Sequence, residues 1–444
     1  MGENHTRISG TSRAIAWRTA LLLALIAGLL LAGCAPPATP TPTQAPKTPL
    51  PTFTPPAQAV TADEASAPAT AAVTATPAPA EAEEATGSTA TATPQPAAEA
   101  PRSLRLNSPE YGMQAFLWWK PEVATRDVQL VSGAGFGWIK QDVGWRDVEP
   151  TKGQFIWNQL DDMMKWIGEQ HLQMIVRLDS QPQWAGGNYP TNSPPDNYAD
   201  FGDFCYALAS RYKGRIRAYE IWNEPNLARE WGGKRPSPAQ YAALLKVAYA
   251  RIKEADPYAI VVSAGLSPTG TNDNTAMPDD LYLEGLYKAM GGNSTGYFDA
   301  LGAHAPGYKA PPEMSPDEVA KSPAYGGQRF FCFRRVEDLR AIMVKNGDAD
   351  KQVFILEFGW TSDTVHPDYA WHAVTEEQKA DYLVRAFQYA KQHWSPWIGL
   401  MTVIYIADPS WTPNDEQYWW AITYPGWPDF KPRPAYEALK AMPK

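Results

Sequence analysis

Two apolar runs in this chain each end on a glutamate. Residues 218 to 226 read AYEIWNEPN, and residues 352 to 360 read QVFILEFGW. Both have the composition of a buried strand, and both stop on polar groups: Asn223-Glu224-Pro225 in the first, Glu357 after four apolar residues in the second. A proline cannot continue a central strand, so Glu224 stands where strand gives way to loop. Two carboxylates at strand ends, turned toward one another, suit the cleavage of an acetal. One attacks the anomeric carbon while the other protonates the leaving oxygen, and a gap of ~5 to 5.5 Å allows a covalent glycosyl-enzyme intermediate.

Residues 133 positions apart meet only if a scaffold folds them together. From about residue 108, short β-rich runs alternate with stretches of helical period, the signature of parallel βαβ units. Strands are expected at roughly 110–117, 136–142, 172–178, 216–223, 259–265, 298–304, 353–358 and 399–406. Two helices announce themselves by their caps. Ser237 and Pro238 open one that presents Tyr241, Leu244, Leu245 and Ile252 on one face; Thr375 and Gln378 have capping-box spacing ahead of Tyr382, Leu383, Ala386 and Phe387. Eight such strands predict an α/β fold closed into a (β/α)8 TIM barrel, whose chemistry sits where strands end and βα loops begin. An open doubly wound sheet would bring a Gly-rich phosphate turn after an early strand, and the sequence has none. In a barrel, Cys205 and Cys332 fall in well-separated sectors, beyond the ~7 Å between Cα atoms that a disulfide tolerates. Free thiols are expected.

The first hundred residues differ in kind. A basic start (Arg7, Arg13, Arg18) precedes the apolar run ALLLALIAGLLLA, which is short for a membrane span of ~20 residues and fits an export signal. Its ending, Leu31-Ala32-Gly33-Cys34, resembles the lipobox of bacterial lipoproteins, which implies lipid attachment at Cys34, a membrane anchor and a cell-surface location. Residues 35 to 106 are dominated by Pro, Thr and Ala, too poor in apolar surface to offset the entropy of ordering, and read as a disordered tether. The chain thus divides into residues 1–34, 35–106 and a catalytic domain over 107–444. A net charge of −9 gives no basic footprint for nucleic acid. The acidic stretch TNDNTAMPDD, residues 271 to 280, lacks the glycine and terminal glutamate of a calcium loop, and no metal or cofactor is expected.

IWNEPN and LEFGW also resemble the acid/base and nucleophile motifs of clan A glycoside hydrolases, the superfamily that includes cellulase-like family 5 and xylosidase-like family 39. The resemblance spans about residues 108 to 442. It implies Glu224 as general acid/base, Glu357 as nucleophile, and Asn223 as the amide that meets the sugar 2-hydroxyl. Glu357 then has to stay ionised beside positive charge, while Glu224 is held protonated by burial and its charged neighbour. The same resemblance points to His304 and Tyr308 after strand six, the Tyr hydroxyl bonding the nucleophile, and sets Tyr405 where many relatives have a Trp platform. Arg177 at the end of strand three either holds a carboxylate ionised or forms a salt bridge between barrel layers. Trp118 and Trp119 beyond strand one, Trp184 beyond strand three and Trp411 beyond strand eight are candidate sugar contacts, because aromatic faces stack on pyranose rings; Phe155 and Trp157 read as packing. The expected partner is an oligo- or polysaccharide, with the protein a monomer. Two rivals remain in view: a carbohydrate-binding lipoprotein whose barrel has lost turnover, and a solute-binding lipoprotein with two α/β lobes around a hinge.

Overall fold

The computed structural model describes residues 102–118 and 120–444. The lipobox with Cys34, nearly all of the tether, and Trp119 lie outside the described residues.

Eight parallel strands close on themselves in sequence order: β1 Glu110–Gln114, β2 Trp138–Gly144, β3 Gln173–Asp179, β4 Ala218–Ile221, β5 Ile260–Ser263, β6 Ala300–His304, β7 Gln352–Phe358 and β8 Ile398–Val403. The ring shuts where β1 pairs with β8, Glu110 opposite Leu400 and Met113 opposite Val403. A closed single ring excludes the two-lobed solute-binding architecture. Each strand leads to a helix on the outside: α1 Pro121–Gly133, α2 Asn158–Glu169, α3 Tyr198–Arg211, α4 Pro238–Ala255, α5 Asp279–Ala289, α6 Arg335–Lys345, α7 Glu376–His393 and α8 Pro434–Ala441. The Ser237 side chain caps α4 by accepting from the Gln240 amide, and Thr375 and Gln378 form the reciprocal box that starts α7.

Alternation along the strands makes two apolar layers. Trp138, Ile175, Ala218, Ile260, Val262, Ala300, Phe354, Leu356 and Leu400 fill the barrel interior. Their strand neighbours, such as Ile139, Val176, Tyr219, Val261, Leu301, Val353 and Ile355, pack outward against the helices. Leu106, assigned to the tether on composition, packs against the inner cluster instead. Its amide and carbonyl both bond the Gln352 side chain, at 2.8 and 3.0 Å, so ordered chain begins a few residues before the expected boundary. Cys205 and Cys332 are buried free thiols.

Candidate active site

Strand four delivers its carboxylate through a turn. After Ile221 the backbone takes positive φ at Trp222 (73°) and again at Glu224 (37°), a region that costs a non-glycine residue free energy and persists only where surroundings enforce it. The enforcement is visible. The Trp222 indole donates to the Glu230 carbonyl at 2.8 Å, the Glu224 amide donates to Gly265 O at 3.2 Å, and Asn226 ties the loop to Ser267 and Met277. Asn223 and Glu224 end fully buried in the barrel mouth.

Strand seven uses a different device. Phe354 and Leu356 point into the barrel, so strict two-residue alternation would turn Glu357 out toward the helices. The register slips where Ala303 pairs with Ile355 but His304 with Glu357, and again toward β8 between Ile355 and Phe358. Such irregularities re-aim a side chain beside a site. Phe358 joins the helix-facing core in its place, and Glu357 turns inward.

There Glu357 Oε1 meets Lys140 Nζ at 3.2 Å and Arg177 Nη1 at 3.4 Å, while Oε2 lies 3.9 Å from His304 Nδ1. The same His304 nitrogen is 3.1 Å from Glu224 Oε1. One nitrogen within those two distances limits the gap between the carboxylate oxygens to at most about 7 Å, their sum. The imidazole lies so close over Gly265 that a Cβ there would overlap the ring, which is why this position has no side chain. On its other oxygen Glu224 bonds Arg229 Nη2 at 3.0 Å. Burial alone would push the Glu357 carboxyl up; Lys140 first, then His304 and Arg177, more than offset it and hold Glu357 below the ordinary carboxylate range.

Arg177 also binds Asp142 (2.8 Å) and Asp179 (3.0 Å), and its Nη1 donates to Asn223 Oδ1 at 3.3 Å. The carbonyl end of that amide being fixed, its Nδ2 is left as a buried donor with no partner. Lys140 is shared with Glu220 at 3.0 Å, deeper in the barrel.

The cellulase (glycosyl hydrolase family 5) model matches residues 100–287, a span that includes Glu224 and stops short of Glu357. Among solved structures, a family 39 glycoside hydrolase from the gut symbiont Bacteroides cellulosilyticus WH2 superposes with a TM-score of 0.54 at 18% identity, covering 76% of this chain and 63% of that one. This chain therefore spans less than two thirds of that relative. The family 39 enzyme of Xanthomonas axonopodis pv. citri gives 0.53 at 16% identity, with 78% and 71% covered. A family 5 enzyme from Streptomyces cattleya, solved with GlcNAc, gives 0.54 at 14%, with 76% and 79% covered. What the chain shares with these neighbours is the (β/α)8 barrel fold. The matched family model and these neighbours are all glycoside hydrolases. No curated protein matches the chain.

Within this barrel, the structure gathers Asn223, Glu224, Arg177, His304 and Glu357 at one point. Tyr405 joins them: its buried ring packs on Phe116 and Trp411, and its hydroxyl is pushed well above the usual phenol range by burial and by the charges of Glu357 and Glu224. Trp411 sits one layer out, edge-on to Phe116 and Tyr405. Tyr308 is a correction. Its hydroxyl donates to Pro268 O at 3.2 Å, away from Glu357, because four residues past the strand and a positive φ (51°) swing it into an aromatic cluster with Phe331 and His372. Trp118 and Trp184 are also taken up by packing. Trp118 is buried in the main core, and Trp184 stands edge-on to Trp145 with its indole committed to Glu149 O at 2.9 Å. Phe155 and Trp157 stack on one another.

Sequence reasoning passed over Lys140, Glu220 and Arg229. The first two carried a signal: a charged residue in the middle of a strand in a closed barrel has only the interior to face once both neighbours, Ile139 and Gln141 or Tyr219 and Ile221, are buried. Arg229 lies in a short turn after the motif, and nothing in its local sequence marks it.

Proposed function

We propose that the protein is a retaining glycosidase that hydrolyses β-linked O-glycosides of oligo- or polysaccharides. The observation that carries this reading is the single imidazole nitrogen within 3.1 and 3.9 Å of the two glutamates. The resulting ceiling of about 7 Å covers the ~5 to 5.5 Å of a retaining pair and only the lower edge of the ~6.5 to 9.5 Å that an inverting pair needs for its water. Glu357, kept ionised by Lys140 and Arg177, attacks the anomeric carbon as Glu224 passes its proton to the departing oxygen. Glu224, now a carboxylate, takes a proton from water, and the hydroxide so formed breaks the ester to Glu357. Asn223 Nδ2 is the donor available to the sugar 2-hydroxyl. Lipid attachment at Cys34, with the barrel held at the cell surface on the Pro/Thr/Ala tether, is part of the same proposal and rests on the sequence.

A screen of aryl β-glycosides followed by proton NMR of the first-formed sugar tests it. The β anomer is expected to appear first and the α anomer only by later mutarotation; an initial α product would rule out the double displacement.

Lys140 makes a pH prediction. Its cation is the strongest of the influences that lower Glu357, so Lys140→Met raises that carboxyl, and the acid limb of kcat/KM moves to higher pH. Activity is then lost mainly on the acid side. The variant also strands Glu220 as a buried anion, while Glu357 keeps Arg177, a cost of about 3–5 kcal/mol that thermal unfolding at neutral pH reads directly. An acid limb that stays in place would remove Lys140 from control of the nucleophile.

A further inference from the structure

A second cavity, of about 450 Å³, is walled by the loop after β7, the start of α7, and the segment after β8. None of Glu224, Glu357, His304, Arg177 and Tyr405 lines it, and the short helix Glu416–Trp420 contributes to its wall. The inner side of that helix belongs to the mouth: Trp420 packs with Tyr405 and Tyr369, and Glu416, lifted to about 8 by burial, feels the charges of Arg229 and Glu224. Tyr418 and Trp419 line the cavity together with Tyr424, which is 37% exposed, and Tyr418 also packs against the Tyr405–Trp420 cluster.

The charges around the cavity are already spent on one another. Lys379, buried on α7 where helical patterning expects an apolar residue, is bonded to Glu376 (3.0 Å) and to the carbonyls of Trp419 and Ala421 (2.9 and 3.2 Å). Arg433 bonds Glu376 Oε1 at 2.7 Å and Tyr418 O at 2.8 Å, and the rings of Tyr418 and Tyr424 lie against its guanidinium. An anion would have to compete with Glu376 for both cations. What faces the space is aromatic surface from Tyr418, Trp419 and Tyr424 beside the hydroxyls and amide of Thr364, Thr375 and Gln378. Glu376 Oε2, behind the same wall, is a buried acceptor with no hydrogen-bond donor. Aromatic walls with a few polar groups, in a volume of this size, suit an uncharged polyol ring.

We propose that this cavity is a separate, non-catalytic binding site for a neutral saccharide, holding a distant part of the polymer whose cleavage occurs at Glu224 and Glu357. That the ligand is a saccharide rests on the glycosidase reading; that the cavity is distinct from the mouth does not. Two sites engaging one polymer raise apparent affinity without any new catalytic contact.

Native electrophoresis of the full chain carrying Glu357→Gln, through gels containing arabinoxylan, mixed-linkage β-glucan or galactomannan, measures polymer binding without turnover. Retardation in at least one gel is expected. Trp419→Ala, and independently Thr364→Trp, which fills the cavity from its exposed rim, should each weaken it by about fivefold or more. In the active background both variants should keep kcat/KM on a short aryl glycoside within about twofold of the parent, because a short substrate does not span both sites. Should Trp419→Ala fail to fold, Thr364→Trp decides alone. No retardation in any gel, or retardation unchanged by the folded variants, overturns the second site. A chain that binds polymer through this cavity yet cleaves no glycoside would leave the site standing and remove the catalytic reading.

Discussion

Glu357→Gln is expected to lower kcat/KM by on the order of 10⁴-fold or more on every glycoside the parent cleaves, while melting within a few degrees of it. The amide keeps the shape of the side chain but cannot form the glycosyl ester, so the loss falls on the chemical step and not on KM. Retention of the fold follows from the neighbours. Lys140 keeps Glu220 at 3.0 Å, and Arg177 keeps Asp142 and Asp179 at 2.8 and 3.0 Å, so neither cation is left buried without an anion. That matters, because an uncompensated buried charge would cost several kcal/mol and confuse lost stability with lost chemistry. Steady-state rates and thermal melts on the same preparation separate the two. A well-folded variant with near-parental turnover would take the nucleophile role away from Glu357.

How far the sequence led depends on which physical signal each feature leaves. The barrel was legible because short β-rich runs alternate with stretches of helical period along the chain, and each signal is local. Glu224 and Glu357 were legible as strand-end carboxylates for the same reason: a polar group that closes an apolar run has few places to go in a barrel other than its mouth. The backbone geometry behind their convergence was not. It depends on positive φ at Trp222 and Glu224 and on a slipped register around Glu357, and neither alters the composition of the strands. Read by alternation alone, Glu357 would have shared the outward face of Ile355. The aromatic wall was least legible, since Tyr308, Trp184, Tyr405 and Trp411 are alike in type and loop position. Only packing separates Tyr405, beside both carboxylates, from Trp184, locked on Trp145. Lys379 shows the opposite failure. Its place on the apolar face of an amphipathic helix predicts a non-polar residue, and its burial follows from Glu376 one turn before it and from carbonyls supplied by a segment 40 or so residues away.

Glu224→Ala should separate the two halves of the reaction. Without its acid the enzyme cannot help an alkoxide depart, so glycosides with poor leaving groups should slow by about 10²- to 10⁴-fold, whereas a dinitrophenyl glycoside, whose phenolate leaves unaided, should still glycosylate Glu357 at a rate close to the parent's. Release then lacks a base, and the covalent intermediate should accumulate, giving a burst followed by slow turnover. Azide should restore the rate and yield a β-glycosyl azide, because it attacks without losing a proton. The vacated space favours that anion. Arg229, 39% exposed at its side chain, and His304 both lose their carboxylate partner there, while Arg229 stays within 3.5 Å of Glu230 and His304 within 3.9 Å of Glu357, so the walls keep their positions. A purely structural Glu224 predicts a different pattern: all substrates slowed alike whatever their leaving group, and no response to azide in rate or product. Leaving-group dependence and azide rescue measured together therefore decide whether the carboxyl at the end of strand four moves a proton or merely holds Arg229 and His304 in place.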